Sequence, residues 1–176
     1  AKIAEELYYE EKVSIPKVTR TGYTFAGWSL DGEESVEVTE TMGTENVTYK
    51  ALWTANSYEV AFDKEKEDAQ GLMANQRFVY DTEQKLSKNS FIRTAYDFAG
   101  WAALKAGVVD YADEALVKNL TAINDATVIL RAVWVPREYT ITYVGVGRLV
   151  HATPDRCTVE SKAITLSAPI RAGYTF

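Results

Sequence analysis

The heptapeptide Gly22-Tyr23-Thr24-Phe25-Ala26-Gly27-Trp28 returns as Ala95-Tyr96-Asp97-Phe98-Ala99-Gly100-Trp101, and begins a third time at Gly173-Tyr174-Thr175-Phe176. The three tyrosines stand 73 and then 78 residues apart, and an arginine precedes each by three positions: Arg20, Arg93 and Arg171. A motif at nearly constant spacing belongs to a tandem array, in which each unit closes a small core and passes the chain to the next. Within the motif, strand alternation puts Tyr23 and Phe25 on one face and Thr24, Ala26 and Trp28 on the other. Gly22 and Gly27 allow a bend or a close backbone approach that a side chain would block.

The flanking segments repeat as well. Asn46 to Thr54 alternates, with Val47, Tyr49, Ala51 and Trp53 on one side, and Thr127 to Val135 copies it with Val128, Leu130, Ala132 and Trp134 before Pro136. Ser57 to Asp63 turns Tyr58, Val60 and Phe62 to the core, and Tyr139, Ile141 and Tyr143 match them 81 residues on. Such alternation predicts strands with one buried and one wet face. Arg77 to Tyr80 reads as a further strand, while residues 108–121 fit a short helix or a strand–turn–strand equally well. One whole unit then occupies 56–136. Residues 1–55 hold a repeat lacking its first strand, and 137–176 the N-terminal half of a further repeat, as expected of a piece of a longer array. Residues 54–57 form the only linker. The expected class is mainly β, with little helix.

Composition narrows the function. Of 176 residues 47% are hydrophobic, which suffices for packed cores, and the net charge of −6 comes without a basic block to neutralise phosphates. Nucleic acid is therefore not an expected partner. The longest apolar run, Ala126 to Val135, is interrupted by Arg131 and too short to insert in a bilayer. With a single cysteine the chain forms no internal disulfide. The N-terminus lacks a signal pattern, so a signal for export would lie outside these residues.

Candidate chemistry is sparse. His151 and Cys157 could form a nucleophile pair, but Cys157 falls at the place of Tyr80 in the whole unit, an ordinary strand position. The run Asp63-Lys64-Glu65-Lys66-Glu67-Asp68 lacks the glycine and terminal glutamate of a calcium loop and reads as a solvated charged loop. Asp110, Asp113 and Glu114 flank a turn without a basic partner and read as surface charge, and Gly145-Val146-Gly147 opens no helix. No catalytic, metal or cofactor-binding residues are assigned, and no cofactor is expected. Trp28, Trp53, Trp101 and Trp134 recur at fixed motif positions, the pattern of core packing, with a carbohydrate-stacking face as the alternative.

With Gly22–Trp28, the Ala51-Leu52-Trp53 strand and the segment Tyr111–Thr121 through Trp134 in view, the chain resembles the Listeria–Bacteroides repeat family, which includes the B-repeats of listerial internalins. The resemblance covers Tyr8 to Trp53, Tyr58 to Trp134 and Tyr139 to Phe176. It implies small β-grasp-like (ubiquitin-like) domains strung along bacterial surface or secreted proteins, acting as spacer or adhesive modules without catalysis. The structural motif residues carried over are Gly22, Tyr23, Phe25, Gly27, Trp28, Trp53, Tyr96, Phe98, Gly100, Trp101, Trp134, Tyr174 and Phe176. Two departures stand out: Ala95 replaces the motif's first glycine, and the charged run replaces a glycine-rich turn. The implied partner is a protein or a cell-wall or host surface. The alternative is a carbohydrate-binding module that uses exposed tryptophan and tyrosine. The split repeats also predict head-to-tail self-association, with residues 139–144 completing the split unit of another molecule.

Overall fold

The computed structural model describes residues 6–13, 16–30, 41, 43–144, 154–166 and 168–175. The motif residue Phe176, Gly145-Val146-Gly147 and His151 lie outside them, as does Asp31-Gly32, whose residue types read as a turn. Every regular element among the described residues is a strand: β1 (Tyr23–Leu30), β2 (Tyr49–Ala55), β3 (Ser57–Asp63), β4 (Gln76–Val79), β5 (Gln84–Lys85), β6 (Tyr96–Ala102), β7 (Leu116–Val117), β8 (Thr127–Pro136), β9 (Tyr139–Thr140) and β10 (Arg156–Cys157). The protein is mainly β. Strands β4-β3-β8-β6 form a four-stranded sheet in that order, and β1-β2, β5-β7 and β9-β10 form two-stranded ribbons. Only Asn56 separates β2 from β3, so the expected four-residue linker shrinks to one.

The chain divides into two compact units, to both of which β3 and β8 contribute. One comprises Ala1–Ala61, Asn75–Leu86 and Leu116–Val128; the other Phe62–Ala74, Ser87–Ala115 and Ile129–Phe176. In the first, Tyr58, Val60, Phe78, Leu86 and Val117 are buried. Tyr58 lies opposite Phe78 in the antiparallel β3–β4 ladder, and their rings stack at 5.7 Å. The Tyr58 hydroxyl accepts the Leu120 N–H at 3.2 Å, so the polar tip of this core tyrosine is satisfied.

The second unit is built around Trp101, which is fully buried. Phe62, Phe91 and Phe98 surround it with ring centroids at 4.9, 6.1 and 4.9 Å. Leu130, Ala132 and Val133 of β8 complete the core. A motif glycine makes this packing possible. A Cβ on Gly100 would lie 2.6 Å from both the Tyr111 carbonyl oxygen and Val109 Cγ1, so the 109–111 segment can cross the strand only over a bare backbone. Trp101 and Tyr111 then exchange N–H···O bonds of 2.7 and 3.0 Å. This crossing decides residues 108–121: they contain no helix, and run from the bridge at Tyr111 through a turn at Asp113-Glu114 into β7.

The motif strands depart from simple alternation. In β1, Phe25 lies opposite Trp53 but Gly27 lies opposite Leu52, leaving Ala26 as an extra residue; β6 slips in the same way between Phe98 and Gly100. One bulged residue inverts the side-chain alternation beyond it. The expectation that Phe25 and Trp28 take opposite faces is therefore corrected. Their rings meet edge to face at 5.4 Å, and Phe25 meets Trp53 at 5.6 Å. The same trio recurs as Phe98, Trp101 and Trp134, with Phe98–Trp134 at 5.8 Å.

Candidate functional site: the junction between repeats

Each motif begins in a tight turn. The N–H groups of Tyr23, Tyr96 and Tyr174 donate to the carbonyls of Arg20, Arg93 and Arg171 at 3.1, 3.2 and 3.1 Å. The third turn position holds Gly22, Ala95 or Gly173 at φ of +75°, +62° and +79°, the left-handed conformation that a type II turn requires there. The reversal folds each arginine back over the tyrosine that follows it. The guanidinium carbons lie 3.6, 3.5 and 4.1 Å from the Tyr23, Tyr96 and Tyr174 ring centroids, a cation–π stack made three times. The three-residue arginine–tyrosine spacing is thus the signature of a preorganised turn.

A second turn also occurs three times. Glu11, Thr82 and Ser161 donate their N–H groups to the carbonyls of Tyr8, Val79 and Thr158 at 2.9, 3.2 and 3.1 Å. An acid occupies the third position of each: Glu10, Asp81 and Glu160. Two of these acids receive motif tyrosines. The Tyr23 hydroxyl donates to Asp81 Oδ2 at 2.7 Å, and the Tyr96 hydroxyl to Glu160 Oε1 at 2.8 Å. These bonds span 58 and 64 residues of sequence and join the turn of one repeat to the β-hairpin that opens the next.

The first junction is centred on Asn56, which is buried. Its N–H donates to the Gly22 carbonyl at 2.9 Å, and its own carbonyl accepts the Tyr80 N–H at 2.8 Å. Its side-chain oxygen accepts the Thr24 hydroxyl, and its side-chain nitrogen donates to the Ala122 carbonyl, both at 2.7 Å. A buried amide with every group engaged fixes both partners in one register. The Tyr80 ring covers Gly22 so closely that an added Cβ would overlap it. Asn119 donates to Asp81 Oδ1 at 2.9 Å and takes back the Asp81 N–H at 2.6 Å. The Asn119 bond first, and the Tyr23 bond second, hold the Asp81 carboxyl below its ordinary range. The Tyr23 hydroxyl is raised, chiefly by its bond to Asp81.

The second junction repeats the backbone and changes the side chains. The Arg137 N–H donates to the Ala95 carbonyl at 2.9 Å, as Asn56 does to Gly22. Where Thr24 meets Asn56, Asp97 meets Arg137: Arg137 donates to Asp97 Oδ1 from Nε at 3.0 Å and from Nη2 at 2.6 Å. That bond raises the Arg137 pKa, and the bond to Glu160 raises the Tyr96 hydroxyl. A neutral hydrogen bond at one junction is a salt bridge at the next, with the backbone link retained.

The motif residues thus divide between two roles. Gly22, Tyr23 and Tyr96 make junctions, and Tyr174 carries the same turn. Gly27, Phe25, Trp28 and Trp53 belong to the bulged ribbon, with Phe25 exposed and both tryptophans half-buried. Gly100, Phe98 and Trp101 build the second unit's core, and half-buried Trp134 donates its indole N–H to the Lys64 carbonyl at 3.0 Å. Of the four tryptophans, only Trp101 fits the core reading in full.

Other candidates find structural work. Asp110 Oδ2 accepts the N–H groups of Ala103 and Leu104, which lower its pKa, and Asp113 Oδ1 accepts those of Asn89 and Glu114. These carboxylates cap turns rather than serve as free surface charge. The charged run is knit rather than loose, with Lys64 Nζ donating to the Ala69 carbonyl at 2.6 Å and Glu65 paired with Arg131 at 3.5 Å. Cys157 lies opposite Tyr139 as Phe78 lies opposite Tyr58, so it takes the place of Phe78 and not of Tyr80. Among the described residues no three His, Cys, Asp or Glu side chains gather as a metal site would require, and no helix is long and apolar enough to cross a membrane.

The acids Asp81 and Glu160 escape sequence reading because they share no residue type and stand far from their tyrosines. The available signal is positional: Tyr9-Glu10, Tyr80-Asp81 and Val159-Glu160 each end the strand-and-turn segment ahead of a motif.

These features define a tandem-repeat β module whose successive repeats are bonded through a recurring turn. The model of the Listeria-Bacteroides repeat domain matches residues 1–51 and 58–124, and the chain belongs to that family. Two similar proteins come from Evansella cellulosilytica. One, named "Putative Gly-rich membrane protein", is 26% identical over 140 residues, which is 74% of this chain and 16% of that protein. The other, named "Putative membrane protein", is 29% identical over 94 residues, 52% of this chain and 14% of that protein. The chain therefore spans about a sixth or less of the length of these relatives. No solved structure gives a significant match.

Proposed function

We propose that the chain is a non-catalytic spacer and protein-interaction module of a bacterial cell-surface or secreted protein, its junctions holding successive repeats in fixed register. The observation that carries this reading is the junction itself, made twice with one backbone bond and interchangeable side chains, Thr24–Asn56 and Asp97–Arg137. Family membership and the membrane-protein names of the relatives support a place at the cell envelope. In such a module the aromatic side chains serve packing and the outer faces meet protein or cell-wall partners. Small-angle X-ray scattering tests the spacer role. The native chain should keep one maximum dimension across salt concentrations, whereas Tyr23→Phe with Tyr96→Phe should broaden the distance distribution. An unchanged distribution in the double variant contradicts the reading.

One feature favours the carbohydrate alternative: an open hollow lined by Arg93, Tyr96, Phe98, Trp134 and Tyr139. Its aromatic and charged lining suits a sugar ring. Tryptophan fluorescence titrated with cell-wall and host polysaccharides separates the two readings, since only sugar binding at this hollow would shift the emission of Trp134 and be abolished by Tyr139→Ala.

A further inference from the structure

Tension along an array reaches each repeat through the residues where the chain enters and leaves it. For the whole repeat these are Asn56, just ahead of β3, and Arg137, just behind β8. The response of the fold is set by how the entry strand and the exit strand are arranged. Here β3 and β8 are hydrogen-bonded neighbours, the inner two of the four-stranded sheet.

Their direction follows from individual bonds. The Ser57 carbonyl accepts the Asp125 N–H at 2.7 Å, and two residues further along β3 the Glu59 N–H donates to the Ala126 carbonyl at 2.9 Å. The partners advance together, so the strands run parallel. Just past the far end of β3, the Lys64 carbonyl accepts the indole N–H of Trp134, late in β8. The start of β3 therefore lies beside the start of β8, and the chain leaves from the opposite end of that second strand. Tension between Asn56 and Arg137 pulls the two strands in opposite directions along their length. It slides β3 past β8, and the bonds of the ladder must stretch together. Had the strands been antiparallel, entry and exit would share one end, and the bonds would open one after another.

The ladder is reinforced at both ends. At its start the Ser57 N–H donates to Asn124 Oδ1 at 3.0 Å, and at its far end Glu65 pairs with Arg131 at 3.5 Å. Tyr58 and Val60 of β3 and Leu130 of β8 are fully buried, which keeps water from the core side of the loaded strands. The connections add no slack. Asn56 alone separates β2 from β3, and only Arg137 and Glu138 separate β8 from β9. A flexible linker would lengthen before the fold felt the load. Links of one and two residues pass tension straight from one repeat to the next.

We propose that the repeat is a load-bearing tether, in which β3 and β8 form a shear clamp against tension along the array. The inference rests on the spacer reading and adds to it a mechanical duty: the spacer holds its fold while it is pulled.

Single-molecule force spectroscopy on the full chain tests this by pulling the same fold in two directions. Both proteins carry Cys157→Ser, so that handles attach only where they are placed. In the first, handles at the two chain ends load β3 and β8 along their length. In the second, a handle on Thr127→Cys, at the exposed start of β8, replaces the C-terminal one. Tension then acts between neighbouring strand starts and peels the ladder open. The clamp is recognised by the length it releases, about 270 Å for residues 57–136 in the first geometry and about 240 Å for 57–127 in the second. The opening force along the strands should be severalfold the peeling force, while the two proteins share one urea melt. Opening along the strands at a force equal to or below the peeling force would overturn the proposal. Register between repeats is read separately, without load, by scattering from Tyr23→Phe with Tyr96→Phe, so the spacer reading survives failure here.

Discussion

Gly22 is the most demanding position in the first junction, and its demand separates into two parts. It adopts φ +75°, and its missing side chain leaves room for the Tyr80 ring. Alanine at Gly22 incurs the left-handed penalty, about 1–2 kcal/mol, partly offset by the entropy that glycine costs on folding, about 0.5–1 kcal/mol. It also forces the Tyr80 ring aside, an overpacking cost of about 1–3 kcal/mol. Gly22→Ala should thus lose about 2–4 kcal/mol in the native background. In a Tyr80→Val background, which removes the ring from over Gly22, only the backbone part remains, about 1 kcal/mol. The coupling energy from a double-mutant cycle, measured by urea unfolding, should be about 1–3 kcal/mol. Equal losses in both backgrounds would show that the ring does not rest on the glycine and would refute the steric part of the argument.

Three other perturbations follow from the same geometry. Ala95→Gly relieves a left-handed alanine at φ +62° and should stabilise the protein by about 0.5–1 kcal/mol in urea melts. Trp101→Ala empties the centre of the second unit and should cost about 3–5 kcal/mol, whereas a loss under about 0.5 kcal/mol would place Trp101 at the surface. Because the Asp81 carboxyl is depressed, its contribution is present above the unfolded value, about 3.9, and is lost as pH falls through the lower folded value. The Tyr23 and Tyr96 hydroxyls are raised, so theirs is present below about 10 and is lost as pH rises through the folded values. Melting temperature against pH should show both shoulders, and Tyr23→Phe with Tyr96→Phe should remove the alkaline one.

The array, its strands and its aromatic positions are legible in the sequence because alternation and repetition are local signals. Val60, Leu130 and Trp101 follow from them directly. The faces of Phe25 and Trp28 are not legible, since Ala26 looks like any strand residue and only its pairing with β2 shows that it is extra. The register of Cys157 is illegible for a related reason: Cys157 stands 18 residues beyond its partner Tyr139, whereas Phe78 stands 20 beyond Tyr58, so counting residues does not carry the match across. The arginine–tyrosine spacing is visible, but its meaning needs the turn that stacks one on the other. The acids are hidden by distance. Nothing near Tyr23 in sequence announces Asp81, and Asp81 and Glu160 are recognised as equivalent only once both hold a tyrosine hydroxyl.

The central claim is that the junction fixes one repeat on the next, and backbone 15N relaxation tests it most directly. Amides of β1 and β2 report on the first repeat, and amides of β3 and β4 on the start of the second. Both sets should give a single rotational correlation time in the native chain, and two distinct times once Tyr23→Phe and Asn56→Ala remove the bonds to Asp81, Thr24 and Ala122. Two distinct correlation times already present in the native chain would contradict the account.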